Sequence, residues 1–379
     1  GNADICHLRW AGISVIIARP RQHMRTMATL THTPGMTTLA HTASNDRQIA
    51  AWLTLCAAVI FGMIILGGVT RLTNSGLSMV EWRPLMGVLP PLSEADWQRV
   101  FEMYQGTPEF QKVNSAFGLT EFKEIFWLEY LHRLLGRIIG IVFLVPFVFF
   151  MVKGYIQRHE WLKYLLMFVL GGLQGLLGWY MVKSGLVDVP SVSQYRLTAH
   201  LLAAFAIYAY MFWVAMSLLF PAGKDSKKHA WYPRTLALFA LVTVTIVSGG
   251  FVAGLKAGKI YNTFPMMGEH WVPPGILALE PAWRNFFENM ATVQFDHRVL
   301  AITTFVLVLI YWFRARSAAL PGRARPAVNA LLHTAILQVA LGIATVLLAV
   351  PVILGAAHQA VAMLLFTVTL YLVHALRRV

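Results

Sequence analysis

Charge is what this sequence has least of. Only 13% of its 379 residues are Asp, Glu, Lys or Arg, about half the share of an ordinary soluble domain. With 57% hydrophobic residues and a positive mean hydropathy, the chain cannot hide its apolar surface in a soluble core. Acids are scarcer than bases, 17 against 31, for a net charge of +14. No basic stripe interleaved with aromatics accompanies that excess, which argues against nucleic acid. In a membrane protein it marks cytoplasmic loops. Cysteine is nearly absent. Cys6 lies near the start and Cys56 inside an apolar run, with no CxxC, so disulfide frameworks and cysteine zinc sites are excluded.

What is there instead is long apolar runs. A bilayer-crossing helix needs about 20 predominantly apolar residues, and eight segments qualify, at about 49–70, 124–152, 161–183, 196–220, 232–255, 294–314, 327–349 and 352–374. The last two are joined by a short turn at Pro351. The expected fold is an all-α polytopic membrane protein. Basic residues fill alternate connections: Lys153, Arg158 and Lys163; Lys224, Lys227, Lys228 and Arg234; Arg314, Arg316, Arg323 and Arg325; and Arg377 and Arg378 at the end. The positive-inside rule puts these on the cytoplasmic or matrix side with both termini. Two long loops, about 71–123 and 256–293, then lie outside. Residues 1–45 stand apart, with Arg9, Arg19, Arg21 and Arg25 against Asp4. A transit peptide, a disordered tail and sequence translated upstream of Met24, Met27 or Met36 compete there, and we expect the tail to be disordered or non-native.

The chain repeats itself. Asn74, Glu81 seven residues on, and Pro90-Pro91 follow the first span; Asn262, Glu269 seven residues on, and Pro273-Pro274 follow the fifth. The second span opens on Glu129-Tyr-Leu-His132-Arg133 and the sixth on Gln294-Phe-Asp-His297-Arg298. Gln174 and Gln338 mark the third and seventh, and His200 and His358 the fourth and eighth. This predicts two four-helix bundles, 46–220 and 221–379, related by a pseudo-twofold axis along the membrane normal.

Four histidines, His132, His200, His297 and His358, then fall early in even-numbered spans, at one depth in the outer part of the bilayer. Intramembrane polar residues are costly and usually functional. The bland alternative is a set of histidines hydrogen-bonded to neighbouring helices. Paired imidazoles on facing helices suit the two axial positions of haem iron, and imidazole also suits copper or zinc. Arg133 and Arg298, with Arg137 and Arg196 at similar depth, can receive haem propionates or snorkel to lipid head groups. Glu129 lies one helical turn from His132, where the second half has Gln294. A carboxylate there can act as general base or stabilise positive charge, and it can also simply pair with Arg133. The first half reads as reactive and the second as the carrier of a fixed haem. Asn74, Glu81, Asn262 and Glu269 read as loop structure, with a site role for Glu81 as the alternative.

These motifs resemble a known family. The run GVTRLTNSGLSMVEW from Gly68 to Trp82 is similar to the first outer-loop signature of the haem A synthases. So are Glu121-Phe-Lys123, Glu129 to Arg133, Tyr195-Arg-Leu197 with His200, Gln294 to Arg298, and His358-Gln359. The resemblance spans about residues 46–376, in the branch that lacks a cysteine pair in the first outer loop. It implies oxidation of the C8 methyl of haem O to a formyl group, giving haem A for cytochrome oxidase. It also implies substrate haem between His132 and His200, haem b between His297 and His358, and a catalytic Glu129. Expected partners are haem O synthase, cytochrome oxidase assembly factors, an electron acceptor of unassigned identity, membrane lipids and a second copy of the chain. The expected setting is the bacterial cytoplasmic membrane, with the mitochondrial inner membrane as the alternative. A bis-histidine cytochrome passing electrons from quinol, a haem carrier or scaffold, and a transporter are the rival readings.

Overall fold

In lipid every backbone N–H and C=O must be satisfied within its own segment, so long apolar runs become helices. The computed structural model describes residues 9–10, 13–14, 34–80, 89–185, 191–223 and 225–377. Contacts divide the chain into two compact units, 1–42 and 43–379. In the first, Arg9–Trp10 pairs antiparallel with Ile13–Ser14. The rest of the expected tail lies largely outside the described residues, but from Pro34 the chain is helical.

Among the described residues eight helices are long and apolar enough to cross a membrane, as expected. They are α1 (Pro34–Leu72, spanning from Ser44), α4 (Leu119–Val152), α5 (Trp161–Gly185), α6 (Gln194–Leu219), α7 (Tyr232–Leu255), α9 (Met290–Ala315), α10 (Ala324–Leu347) and α11 (Val352–Leu376). Between them come α2 (Glu94–Gln105), α3 (Pro108–Lys112) and α8 (Asn285–Glu288). The spans are not equally enclosed. Over their apolar windows α11 is 56% buried and α1 44%, whereas α5 is 6% buried. The most enclosed spans are thus α11, α1 and α6, α7 packs against both α6 and α11, and α5 faces lipid.

Packing is concentrated toward the side of the basic loops. Leu53, Ile60, Phe143, Tyr164, Phe205, Met211, Val308, Leu331, Met363 and Leu372 form one core there. On the side of the two long loops, spans carry histidines and glycines instead. That side is covered by α2 and α3. Ser93 caps α2 in a capping box with Asp96, and Trp97, Phe101 and Tyr104 pack on Phe122, Ile125, Phe126 and Tyr130 of α4. Tyr104 stacks on Phe122 at 5.0 Å. The first turns of α4 thus serve this lid.

Candidate functional site

An imidazole can approach a helix this closely only where the helix has no side chain, and each of the four rings meets a glycine through its Cε1. A Cβ on Gly67 of α1 would lie 3.0 Å from Cε1 of His132, and one on Gly178 of α5 3.0 Å from Cε1 of His200. Gly249 of α7 stands 3.1 Å from His297 and Gly342 of α10 3.0 Å from His358 in the same manner. Every ring thus rests on the span that precedes it. His132 and His200 lie within electrostatic reach of each other, as do His297 and His358. Three of these histidines sit about two turns into their helices. His132 sits about four turns in, deeper than expected, because α4 begins at Leu119 to carry the lid.

Glu129 is 2% exposed. Its Oε2 accepts from Ser78 Oγ at 2.7 Å and from the Met79 backbone N–H at 2.8 Å. Its Oε1 accepts from Arg133 Nη2, which also donates to the Met79 carbonyl at 2.9 Å. In the other half, Gln294 donates to the Tyr261 carbonyl at 3.0 Å. Arg298 donates to the carbonyls of Tyr261 at 2.8 Å, Thr263 at 2.9 Å and Met266 at 3.2 Å. Both arginines therefore tie a long loop onto its bundle, a role the sequence reading did not foresee. Arg196 lies 4.5 Å over the Tyr180 ring. Asn262 donates to the carbonyls of Gly258 and Val346, which is loop structure. Glu81 lies outside the described residues.

A second buried carboxyl sits in the lid. Glu109 is 4% exposed and accepts from Tyr104 Oη at 3.4 Å. Burial, with the charge of Glu129 next, pushes it up to about 7.

A family model described as COX15-CtaA, cytochrome oxidase assembly protein, matches residues 50–370. The chain belongs to the COX15-CtaA family. It is similar to the heme A synthase of Nitrosospira multiformis, 55% identical over 336 residues that cover 88% of this chain and 94% of that one. It is also similar to heme A synthase COX15 of Homo sapiens, 45% identical over 345 residues, 88% and 84% of the two chains. For heme A synthase COX15 of Arabidopsis thaliana the identity is 46% over 350 residues, 88% and 75%.

The polar atoms of this COX15-CtaA protein fit a haem at the paired histidines. Ser248 Oγ donates its one hydrogen to the Thr245 carbonyl at 2.7 Å. With its hydrogen there it can accept from Nδ1 of His297, 2.8 Å away, and in that tautomer the Nε2 lone pair is left for a metal. His132, His200 and His358 each bury an Nδ1 with no partner. His358 meets the Gln338 amide nitrogen through Nε2 at 3.3 Å, so ligation there requires that amide to turn aside. Among the described residues no three His, Cys, Asp or Glu converge as a chelate. Copper or zinc bound by side chains alone calls for such a set.

Proposed function

We propose that the chain is a haem A synthase, oxidising the C8 methyl of haem O to the formyl group of haem A for cytochrome oxidase. One observation carries this reading, in a chain 55% identical to a heme A synthase. Of the two histidine sites, only the first has a carboxylate one helical turn before its histidine, Glu129, gripped by three donors. A cytochrome that only passed electrons would have no use for that difference. We take the halves, 46–220 and 221–379, as pseudo-twofold-related. His132 and His200 then receive the iron of the substrate, and His297 and His358 hold a b-type haem. When bound, that haem supplies one-electron transfer toward an acceptor.

A methyl group and water give a formyl group by losing electrons and protons in equal number. The chain's part in this is electrostatic. With both oxygens held, Glu129 stays in place as a preorganised anion, suited to positive charge developing on the methyl carbon. The low dielectric of the bundle strengthens that interaction, and water then adds to the carbon. Arg133 and Arg298 hold the loops that cover the sites. A guanidinium has five N–H donors, so each can serve a loop carbonyl and a propionate together. By the positive-inside rule the long-loop side faces outward from the bacterial cytoplasmic membrane, with the mitochondrial inner membrane as the alternative setting. Haem O synthase and cytochrome oxidase assembly factors are the partners this reaction calls for. Gly171, Gly172 and Gly175, with nothing within 4 Å, leave α5 open to a second copy.

The test is product analysis. The full chain, co-expressed with a haem O synthase in a host without haem A, should yield haem A. His132→Ala should yield none, and Glu129→Gln should lower the yield at least 100-fold, the scale of losing one preorganised electrostatic group. Haem B and haem O alone, in a well-folded protein with a bis-histidine spectrum, would replace this reading with the electron carrier.

A further inference from the structure

The two halves differ at a second position, next to the ring rather than across from it. Ser248 directly precedes Gly249, the glycine on which His297 rests, and Leu66 directly precedes Gly67, on which His132 rests. The two rings sit alike. A Cβ on Gly249 lies 3.1 Å from Cε1 and 3.6 Å from Nδ1 of His297; a Cβ on Gly67 lies 3.0 Å from Cε1 and 3.6 Å from Nδ1 of His132. In the second half the Ser248 hydroxyl stands 2.8 Å from Nδ1 of His297, placed to accept its hydrogen while its own goes to the Thr245 carbonyl. In the first half leucine offers nothing, and Nδ1 of His132 is buried without a partner.

We propose that Ser248 is a positioning residue that makes the second-half histidine site retentive, and that Leu66 leaves the first-half site exchangeable. A neutral imidazole ligating through Nε2 must carry its hydrogen on Nδ1. When that N–H has an acceptor, the ring is fixed in tautomer and orientation and is a more basic ligand. When it has none, a buried donor is unsatisfied as long as the ring ligates, and the ligand is held more weakly. A cofactor has to stay through many turnovers, whereas a substrate has to leave as product. This inference rests on the assignment of resident and substrate haem made above.

The test uses full-length protein purified in lipid nanodiscs, with haem loss followed as transfer to apomyoglobin. Ser248→Ala should release the haem that depends on His297 about 10–100-fold faster, as loss of the hydrogen-bond partner behind a metal ligand does, and should shift its midpoint potential and its low-spin resonance. Ser248→Thr, which keeps the hydroxyl, should restore all three. Leu66→Ser should slow the release of the haem that depends on His132 about 10-fold and cut steady-state turnover, with the single-turnover rate unchanged. Wild-type loss rate, potential and resonance in Ser248→Ala would overturn the assignment, and so would unaltered release in Leu66→Ser. Should the wild type hold both haems and make no haem A, the enzymatic reading fails while the release rates still decide the role of Ser248. A protein that binds no haem overturns both.

Discussion

Glu129 and Glu109 are both buried carboxyls, and their surroundings differ. Glu129 has an arginine, a hydroxyl and a backbone N–H on its oxygens, so its charge is compensated. Glu109 has only Tyr104 in contact, with Glu129 adding repulsion and Lys256 a weaker attraction. Its folded value of about 7 stands above the ordinary 4.5. The folded lid therefore holds a proton that the unfolded lid has lost in this window. Stability contributed there is complete below the ordinary value and is lost as pH rises toward 7. Glu109→Gln should remove that slope and stabilise the lid above neutral pH by up to about 3 kcal/mol. Limited proteolysis of the lid at acid and alkaline pH measures it; equal pH dependence in wild type and variant would show that the lid does not feel this carboxyl. At this scale the sequence shows side chains by type and spacing. The four histidines and the Glu129/Gln294 difference were readable from the repeat. Ser78, the Met79 N–H and the glycine beneath each ring were not, because they act through contacts between distant segments. Ser248 was passed over as well, although it stands directly before Gly249.

The spans were legible as elements because lipid imposes one answer on an apolar run. Their ends were less so. The second span reads as 124–152 but the helix is Leu119–Val152, since its first turn is polar and packs against protein. The first outer segment reads as one long loop of about 71–123, and it contains α2 and α3. The signal was present: Ser93 with Asp96, then Trp97, Phe101 and Tyr104 along one helical face. The hydropathy scan passed over it because α2 is too polar and too short to span. This element has a consequence for the site. Phe101 packs on Phe122 at 5.2 Å, and the same face of α4 carries Ile125 and Glu129. Phe101→Ala should weaken lid docking by about 3–5 kcal/mol, the usual cost of emptying a buried aromatic position. Protease should then cut between residues 89 and 118 while the eight spans stay assembled. Unchanged cleavage would mean that α2 is not what holds the lid.

At the scale of the molecule, an apolar helix facing lipid and one facing protein look alike in sequence, which is why the central position of α11 and the outlying one of α5 were not readable. What selects the centre is again glycine. The Gln359 amide, which donates to the Ile64 carbonyl at 2.7 Å, fills the place a Cβ on Gly68 would take. A Cβ on Gly250 would lie 3.0 Å from Thr198 Oγ1. The second residue of the pairs Gly67-Gly68 and Gly249-Gly250 therefore faces the other half, one position from the glycine that seats a histidine of its own half. Arg71 adds hydrogen bonds from the end of α1 to the carbonyls of Ala253 and Gly254. At Gly254 a Cβ would meet Cβ and Cα of Gln194 at 2.6 and 2.7 Å. Backbone, not a movable side chain tip, stands in the way, so α6 and α7 must part if Gly254 becomes alanine. Gly254→Ala should destabilise the protein by about 1–3 kcal/mol, as overpacking does. Gly140→Ala, with nothing within 4 Å, should change it by less than about 1 kcal/mol, since alanine is the better helix former. Thermal unfolding of the two variants in the same lipid or detergent compares them directly. Equal midpoints would mean that the halves are joined somewhere other than this glycine-lined contact.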